Sequence, residues 1–249
     1  MKKVAAVILA PAMLLSSAVQ ADTLLGVYAG GQIWDTENTG SFGSGAGNQS
    51  FGFADEKQQS FYIALEHPVP LLPNIKIREN ELSTQGFVTL SEDFVYNGEG
   101  YSAGTSLASA IDLSHTDVTL YYEIFDNDLL SFDIGVTGKK VDGLLAVRDA
   151  QSENSLKSDG WIPTGYAQLR VGIPATPLTV YGLANAISID DSSVRDIEAG
   201  IEYRLVENLA VDLNLQLGYR DITIELDDLD GIYSDLQFKG PYLGLEVHF

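Results

Sequence analysis

Residues 209–220 read LAVDLNLQLGYR, and the stretch alternates without a break. Leu209, Val211, Leu213, Leu215, Leu217 and Tyr219 share one face; Ala210, Asp212, Asn214, Gln216, Gly218 and Arg220 share the other. A period of two with one apolar and one polar face is a β-strand between two different media. The chain closes on GPYLGLEVHF, where Leu243, Leu245, Val247 and Phe249 fall on one face. Residues 209–249 are therefore expected to form a closing hairpin.

The other end reads as an address. Lys2 and Lys3 precede an apolar run, Val4 to Leu15, and Val19-Gln20-Ala21 has the small residues of a cleavage site. Residues 1–21 are thus expected to be a cleaved signal peptide, and 22–249 a single domain. No later apolar stretch reaches the 18 or so residues that a spanning helix needs, which leaves a closed barrel as the only way to cross a membrane. Removing Lys2 and Lys3 leaves 12 basic against 35 acidic residues, a net charge of −23. That balance argues against nucleic acid as a partner. The chain has no Cys, consistent with an exported compartment.

Further strands follow the same rule. They are expected at 25–34, 60–66, 75–90, 115–124, 130–136, 161–173, 178–189 and 197–206, which with the closing hairpin makes ten. Gly30-Gly31 in the first suggests a bend or a close backbone approach. The proline-bearing segments HPVPLLPN (67–74) and PATP (174–177) read as turns. Long loops are expected at 37–59, 91–106 and 149–160, with a shorter one at 190–196. Short turns at one end and longer loops at the other match a transmembrane antiparallel up-and-down β-barrel of about ten strands, with both termini periplasmic. Phe61, Tyr122, Phe132, Trp161, Tyr203, Tyr219 and Phe249 are candidates for interface girdles.

A strand finishing on a terminal Phe is similar to the C-terminal signature of bacterial outer-membrane barrels. The segments GVYAGGQIWD (26–35), ALEHPVPLLPNIKI (64–77), DLSHTDVTLYYEIFDN (112–127), GYRDITIEL (218–226) and KGPYLGLEVHF (239–249) resemble an uncharacterised proteobacterial outer-membrane β-barrel family with an early Gly-Gly pair. The resemblance implies an integral outer-membrane barrel and supplies no catalytic or ligand-binding residue.

Chemistry-bearing residues collect on the inward faces. The expected lumen set is His115, Asp117, Tyr121, Glu123, Asp133, Arg170, Glu198, Glu202, Arg204, Asp212 and Arg220, with Arg78 beside them. Mixed signs one or two strands apart read either as a salt-bridged plug or as the lining of a selective channel. Barrels of about eight strands are filled by side chains and about sixteen hold a pore, so ten favours the plug. The channel reading would use Tyr121, Glu123, Arg170, Arg204, Asp212 and Arg220.

No catalytic constellation emerges, and an enzyme is not expected. Ser114 and His115 are neighbours on a strand and face opposite sides. No Ser and His recur at i, i+2, as a hydrolase dyad on one strand would require. Asp190, Asp191, Asp227, Asp228 and Asp230 are weak candidates for a cation. Setting Gly231 at position 6 of a calcium loop puts Leu226 at position 1 and Gln237 at position 12, where carboxylates belong, so the motif fails. The expected protein is a monomer without an essential cofactor, held by outer-membrane lipid and lipopolysaccharide. Its expected role is structural or surface-interaction, with limited passage of small solutes at most.

Overall fold

The computed structural model describes residues 25–44, 47–127, 129–208, 211–229 and 231–249. The signal peptide read over 1–21 lies outside them, as do Asp230, Leu209 and Ala210. Among the described residues ten strands close a ring: β1 Gly26–Ser44, β2 Glu56–Glu66, β3 Asn74–Asn80, β4 His115–Asp126, β5 Leu130–Arg148, β6 Glu153–Gly172, β7 Leu178–Ile189, β8 Ser192–Glu207, β9 Asp212–Leu229 and β10 Ile232–His248. Each pairs antiparallel with its sequence neighbours. β1 closes on β10 from Tyr28↔His248 to Ser44↔Ile232, so the lower part of the wall has no free edge. Gly30 and Gly31 mark a close approach, as expected. A Cβ at Gly30 would sit 2.4 Å from the Tyr62 ring, and one at Gly31 2.9 Å from the Phe61 ring.

The strands are longer than a membrane requires. β1 has 19 residues and β6 has 20, whereas a tilted strand crosses the hydrocarbon core in about 9–11. The wall therefore has two storeys. In the lower one, Phe61, Ile63, Leu120, Val136, Leu169, Ile201, Leu217 and Leu243 stand exposed on the outside. A broad exposed apolar belt is stable only against lipid, which makes this the transmembrane storey. Above it the outward positions become Asp35, Glu37, Lys140, Asp142, Arg195 and Asp235, while the inward ones become Phe42, Leu145, Val147, Ile222, Leu236 and Phe238.

Those inward residues form a hydrophobic core with the segment between β3 and β4. Strands Ser83–Thr89 and Ser106–Asp112 pair with each other, and the second continues the wall beside the top of β5. A small hairpin, Phe94–Tyr96 with Glu99–Tyr101, lies between them. Phe94, Tyr96, Tyr101, Leu82 and Leu107 are buried against Phe42, Phe51 and Val147. Phe42 meets Tyr96 edge-on at 5.7 Å, and the Tyr96 hydroxyl donates to the Leu145 carbonyl at 2.7 Å.

Several expectations are corrected here. The strand expected at 75–90 is broken at Glu81-Leu82, where the chain turns from β2 and β4 into the cap. The expected loop 37–59 is mostly strand: β1 runs on to Ser44, Gly52–Phe53 pairs with Gly86-Phe87, and β2 begins at Glu56. The segment 91–106 is a packed hairpin rather than an open loop, because its aromatic residues fill the mouth of the barrel. The loops at 149–160 and 190–196 shrink to the turns Asp149–Ser152 and Asp190-Asp191, since β6 starts at Glu153 and β8 at Ser192.

Candidate functional site

Mid-height in the barrel, six charged side chains meet in a buried cluster. Arg78 comes from β3, Asp117 from β4, Lys139 from β5, Asp196 and Glu198 from β8, and Arg220 from β9. Each occupies an inward position because the two-residue period brings every second side chain to the lumen. Arg220 donates from Nε to Asp196 Oδ1 at 2.9 Å and from Nη2 to Asp196 Oδ2 at 2.8 Å and Asn80 Oδ1 at 3.0 Å. Its guanidinium also lies over the Trp34 ring, 5.1 Å from the centroid. Lys139 Nζ bridges Asp117 Oδ2 at 2.9 Å and Asp196 Oδ2 at 3.2 Å.

Below them Arg78 crosses the lumen to Glu198 and donates to Ser60 Oγ at 2.9 Å and to Gln32. Gln32 returns a bond to Glu198 Oε2 at 3.2 Å. Three cations thus face three anions, and nearly all of their polar atoms are paired. Removing one partner from such a cluster strands a buried charge. His115, Asp117 and Asp196 lie close enough to suggest a metal. The Lys139 ammonium and the Arg220 guanidinium already neutralise both carboxylates, so a metal would have to displace Lys139.

Nearer the termini the lumen widens into a polar vestibule of about 450 Å³. Arg170 roofs it, holding Glu202 at 2.6 and 2.7 Å and Glu246 at 3.2 Å, while the Tyr62 hydroxyl donates to Glu246. Tyr121 donates to Glu66 at 2.7 Å, and Asn74 to Glu123 at 3.2 Å. Asp133 is buried at an inward position. Asp212 sits at the rim, 3.8 Å from His248, whose ring stacks on Tyr28 at 4.1 Å.

The structure therefore brings His115, Asp117, Glu198 and Arg220 to the plug or its edge, and Tyr121, Glu123, Asp133, Arg170, Glu202 and Asp212 to the vestibule. Arg204 is set apart. It is at the outer rim of the vestibule, paired at 3.0 Å with Glu207 of its own strand and largely exposed. A bulge interrupts the strand pairing just past it, between Arg204 and Val206. Asp190, Asp191, Asp227 and Asp228 lie at the tips of the β7–β8 and β9–β10 hairpins, far in sequence register from the plug.

Sequence reading missed Lys139, Asp196 and Glu246. Lys139 lies in phase with Asp133 and Thr137, three residues past the expected end of its strand. Asp196 lies in phase with Glu198, inside a segment read as loop. Extending the first alternation by three residues and the second by one would have found both. Glu246 sits on the polar face of the terminal strand, in phase with Gly244 and Tyr242.

No family model matches the chain, and no curated relative does. Among solved structures it is similar to the transport unit of the autotransporter AIDA-I from Escherichia coli, at 8% identity and a TM-score of 0.40, over 94% of this chain and 92% of that one. Neisserial surface protein A overlaps at 11% identity and a TM-score of 0.30, over 90% of this chain and 97% of that one. A Pseudomonas aeruginosa FadL homologue overlaps at 9% identity and a TM-score of 0.32, over 90% of each chain. These overlaps are loose, and the fold rests on the strand pairings themselves.

Proposed function

We propose that the protein is an integral barrel of the bacterial outer membrane that does not conduct through its lumen and acts as a structural and surface-presenting element. The buried cluster of Arg78, Lys139 and Arg220 with Asp117, Asp196 and Glu198 carries this reading. A conducting lumen needs water along its length, and here paired charges fill the middle while an apolar core fills the mouth. In this reading both termini and the short turns face the periplasm, and the tall storey stands outside the cell. Its acidic outer face then lies beside lipopolysaccharide phosphates, which favours divalent cations as bridges.

The experiment is conductance of the refolded mature protein in a planar lipid bilayer. Silence at moderate voltage is expected, and discrete open steps in the wild type would overturn the reading.

A further inference from the structure

The wall of the upper storey has a notch. β6 pairs with β5 along its whole length, from Arg148↔Glu153 to Leu130↔Val171. Its pairing with β7 stops at Gly165↔Ala186. Above that level β7 ends at Ile189 and turns at once into β8, while β6 climbs on to Glu153. Among the described residues no strand pairs with this upper edge of β6. Pro163, which lacks an amide donor, sits where pairing would otherwise continue. A short hairpin, β7–β8, thus stands between two tall ones.

Behind the notch, directly above the charged plug, is a cavity of about 300 Å³. Leu145, Leu156, Ile162, Val194, Ile222 and Ile224 supply its apolar wall. Asp159 and Trp161 also touch it, although alternation puts both on the outer face of β6. A space that meets inward Gly160 and Ile162 and outward Trp161 passes around the bare edge of β6. No residue of β7 lines it. Trp161 is exposed at the top of the apolar belt, so the mouth opens sideways at the membrane interface.

The floor is polar, with His115 beside Lys139 and Asp196 of the plug. His115 Nδ1 lies 2.8 Å from the Leu113 carbonyl, so Nδ1 carries the proton and Nε2 keeps a bare lone pair. Nε2 is buried and has no hydrogen-bond partner within the described residues; it faces Asp117 Oδ1, also unpartnered, across 3.8 Å, so a donor placed there would meet two acceptors. The charges beneath it balance, three against three, which leaves no excess to attract an ionic head group.

We propose that this cavity binds a compact, neutral, apolar molecule carrying one hydroxyl, entering sideways through the β6–β7 notch and donating its hydroxyl to His115 Nε2. An apolar cavity of about 150 Å³ holds one benzene, so twice that volume suits a bicyclic arene. The plug closes the floor, so the site serves capture at the outer face and not passage through the lumen.

The test is equilibrium dialysis of 2-naphthol against proteoliposomes of the refolded mature protein, with protein-free vesicles subtracted. Saturable one-to-one binding is expected, with naphthalene about five- to tenfold weaker because it lacks the donor. In Gly160→Leu the new side chain enters open space, since nothing lies within 4 Å of a Cβ there. Binding is expected to fall at least tenfold while the heat-modifiable band and melting temperature hold. Should that variant fail to refold, Ile224→Phe fills the cavity from the opposite wall. Magnetisation transfer from bound 2-naphthol to the Ile222 and Ile224 methyls locates the site in the wild type without any variant. No uptake beyond vesicle partition, undiminished binding in the filled variant, or saturable uptake without those methyl contacts would each overturn the proposal.

Discussion

On β9 the outward positions Leu215, Leu217 and Tyr219 face lipid, and the outward positions directly above them, Asp221, Thr223 and Glu225, are polar, with Thr223 itself largely covered. The inward positions change in the opposite sense, from Asn214, Gln216 and Arg220 to Ile222, Ile224 and Leu226. The backbone period never slips; only the solvent outside does. A barrel in lipid can afford polar packing inside because its outer surface is satisfied by hydrocarbon. The same barrel in water must put its apolar side chains inside. The lower storey is held by ion pairs within a lipid-facing wall, and the upper one by an ordinary hydrophobic core.

The strongest way to break the lower storey is to unbalance the plug. Arg220→Leu leaves Asp196 and Glu198 short of a cation in a buried site, where losing one partner costs about 3–5 kcal/mol. Urea unfolding in vesicles is expected to shift by that amount. If the loss is under about 1 kcal/mol, water reaches the cluster and the plug is not dry.

The upper storey has its own weak point. Phe42 is fully buried between Phe51 and Tyr96. Phe42→Ala opens a cavity there and is expected to cost about 3 kcal/mol. The loss should fall on the cap, so limited proteolysis would cut within 81–114 while the barrel below keeps its heat-modifiable band. Loss of both together would show that the two storeys fold as one unit.

How much of this was legible follows from the same inversion. Periodicity found the lower half of nearly every strand because lipid leaves one face uniformly apolar, as in Leu213 to Tyr219. It stopped each strand where the chemistry crosses over. At Tyr219 the apolar set is outward, and at Ile222 it is inward; a reader tracking one apolar face sees an ending where the strand simply leaves the membrane. A spacing of three between apolar sets, with the two-residue period kept on both sides, is the available signal. The mixed charges of the lumen were readable, but their pairing was not. Arg78 and Glu198 are 120 residues apart, and only the closed register sets them face to face. The cap was beyond reach for another reason: Phe94, Tyr96 and Tyr101 sit among Gly, Asn and Ser, and their burial depends on a mouth that the upper strands build.

The position of the membrane edge can be sharpened with two substitutions on outward positions of neighbouring strands. Leu217→Arg lies within the belt, where a lipid-facing arginine costs about 2–4 kcal/mol near the midplane. Asp235→Arg lies above it, exposed on β10, and should stay within about 0.5 kcal/mol of wild type. Equal costs would mean that lipid covers the upper storey as well.

The smallest effect concerns the tip of the tallest hairpin. Asp149 Oδ1 accepts from the Gln151 amide at 2.8 Å and the Ser152 amide at 2.7 Å. These backbone donors hold its carboxyl below the usual aspartate range. A folded-state pKa below the unfolded value contributes stability above the unfolded pKa, and that contribution is lost as pH falls through the lowered one. The turn is therefore expected to be intact at neutral pH and to loosen only under strong acid, seen as faster amide exchange at Gln151 and Ser152. Asp149→Asn keeps the acceptor and removes the titration, so its exchange should lose this acid dependence. The cap beneath rests on an apolar core, with one carboxylate–amide bond of its own from the Ala103 amide to Asp93 Oδ1, so acid should loosen this tip before it opens the cap. Cap opening at the same pH as the tip would mean that buried carboxylates in the plug, not the core, set the acid limit of the upper storey.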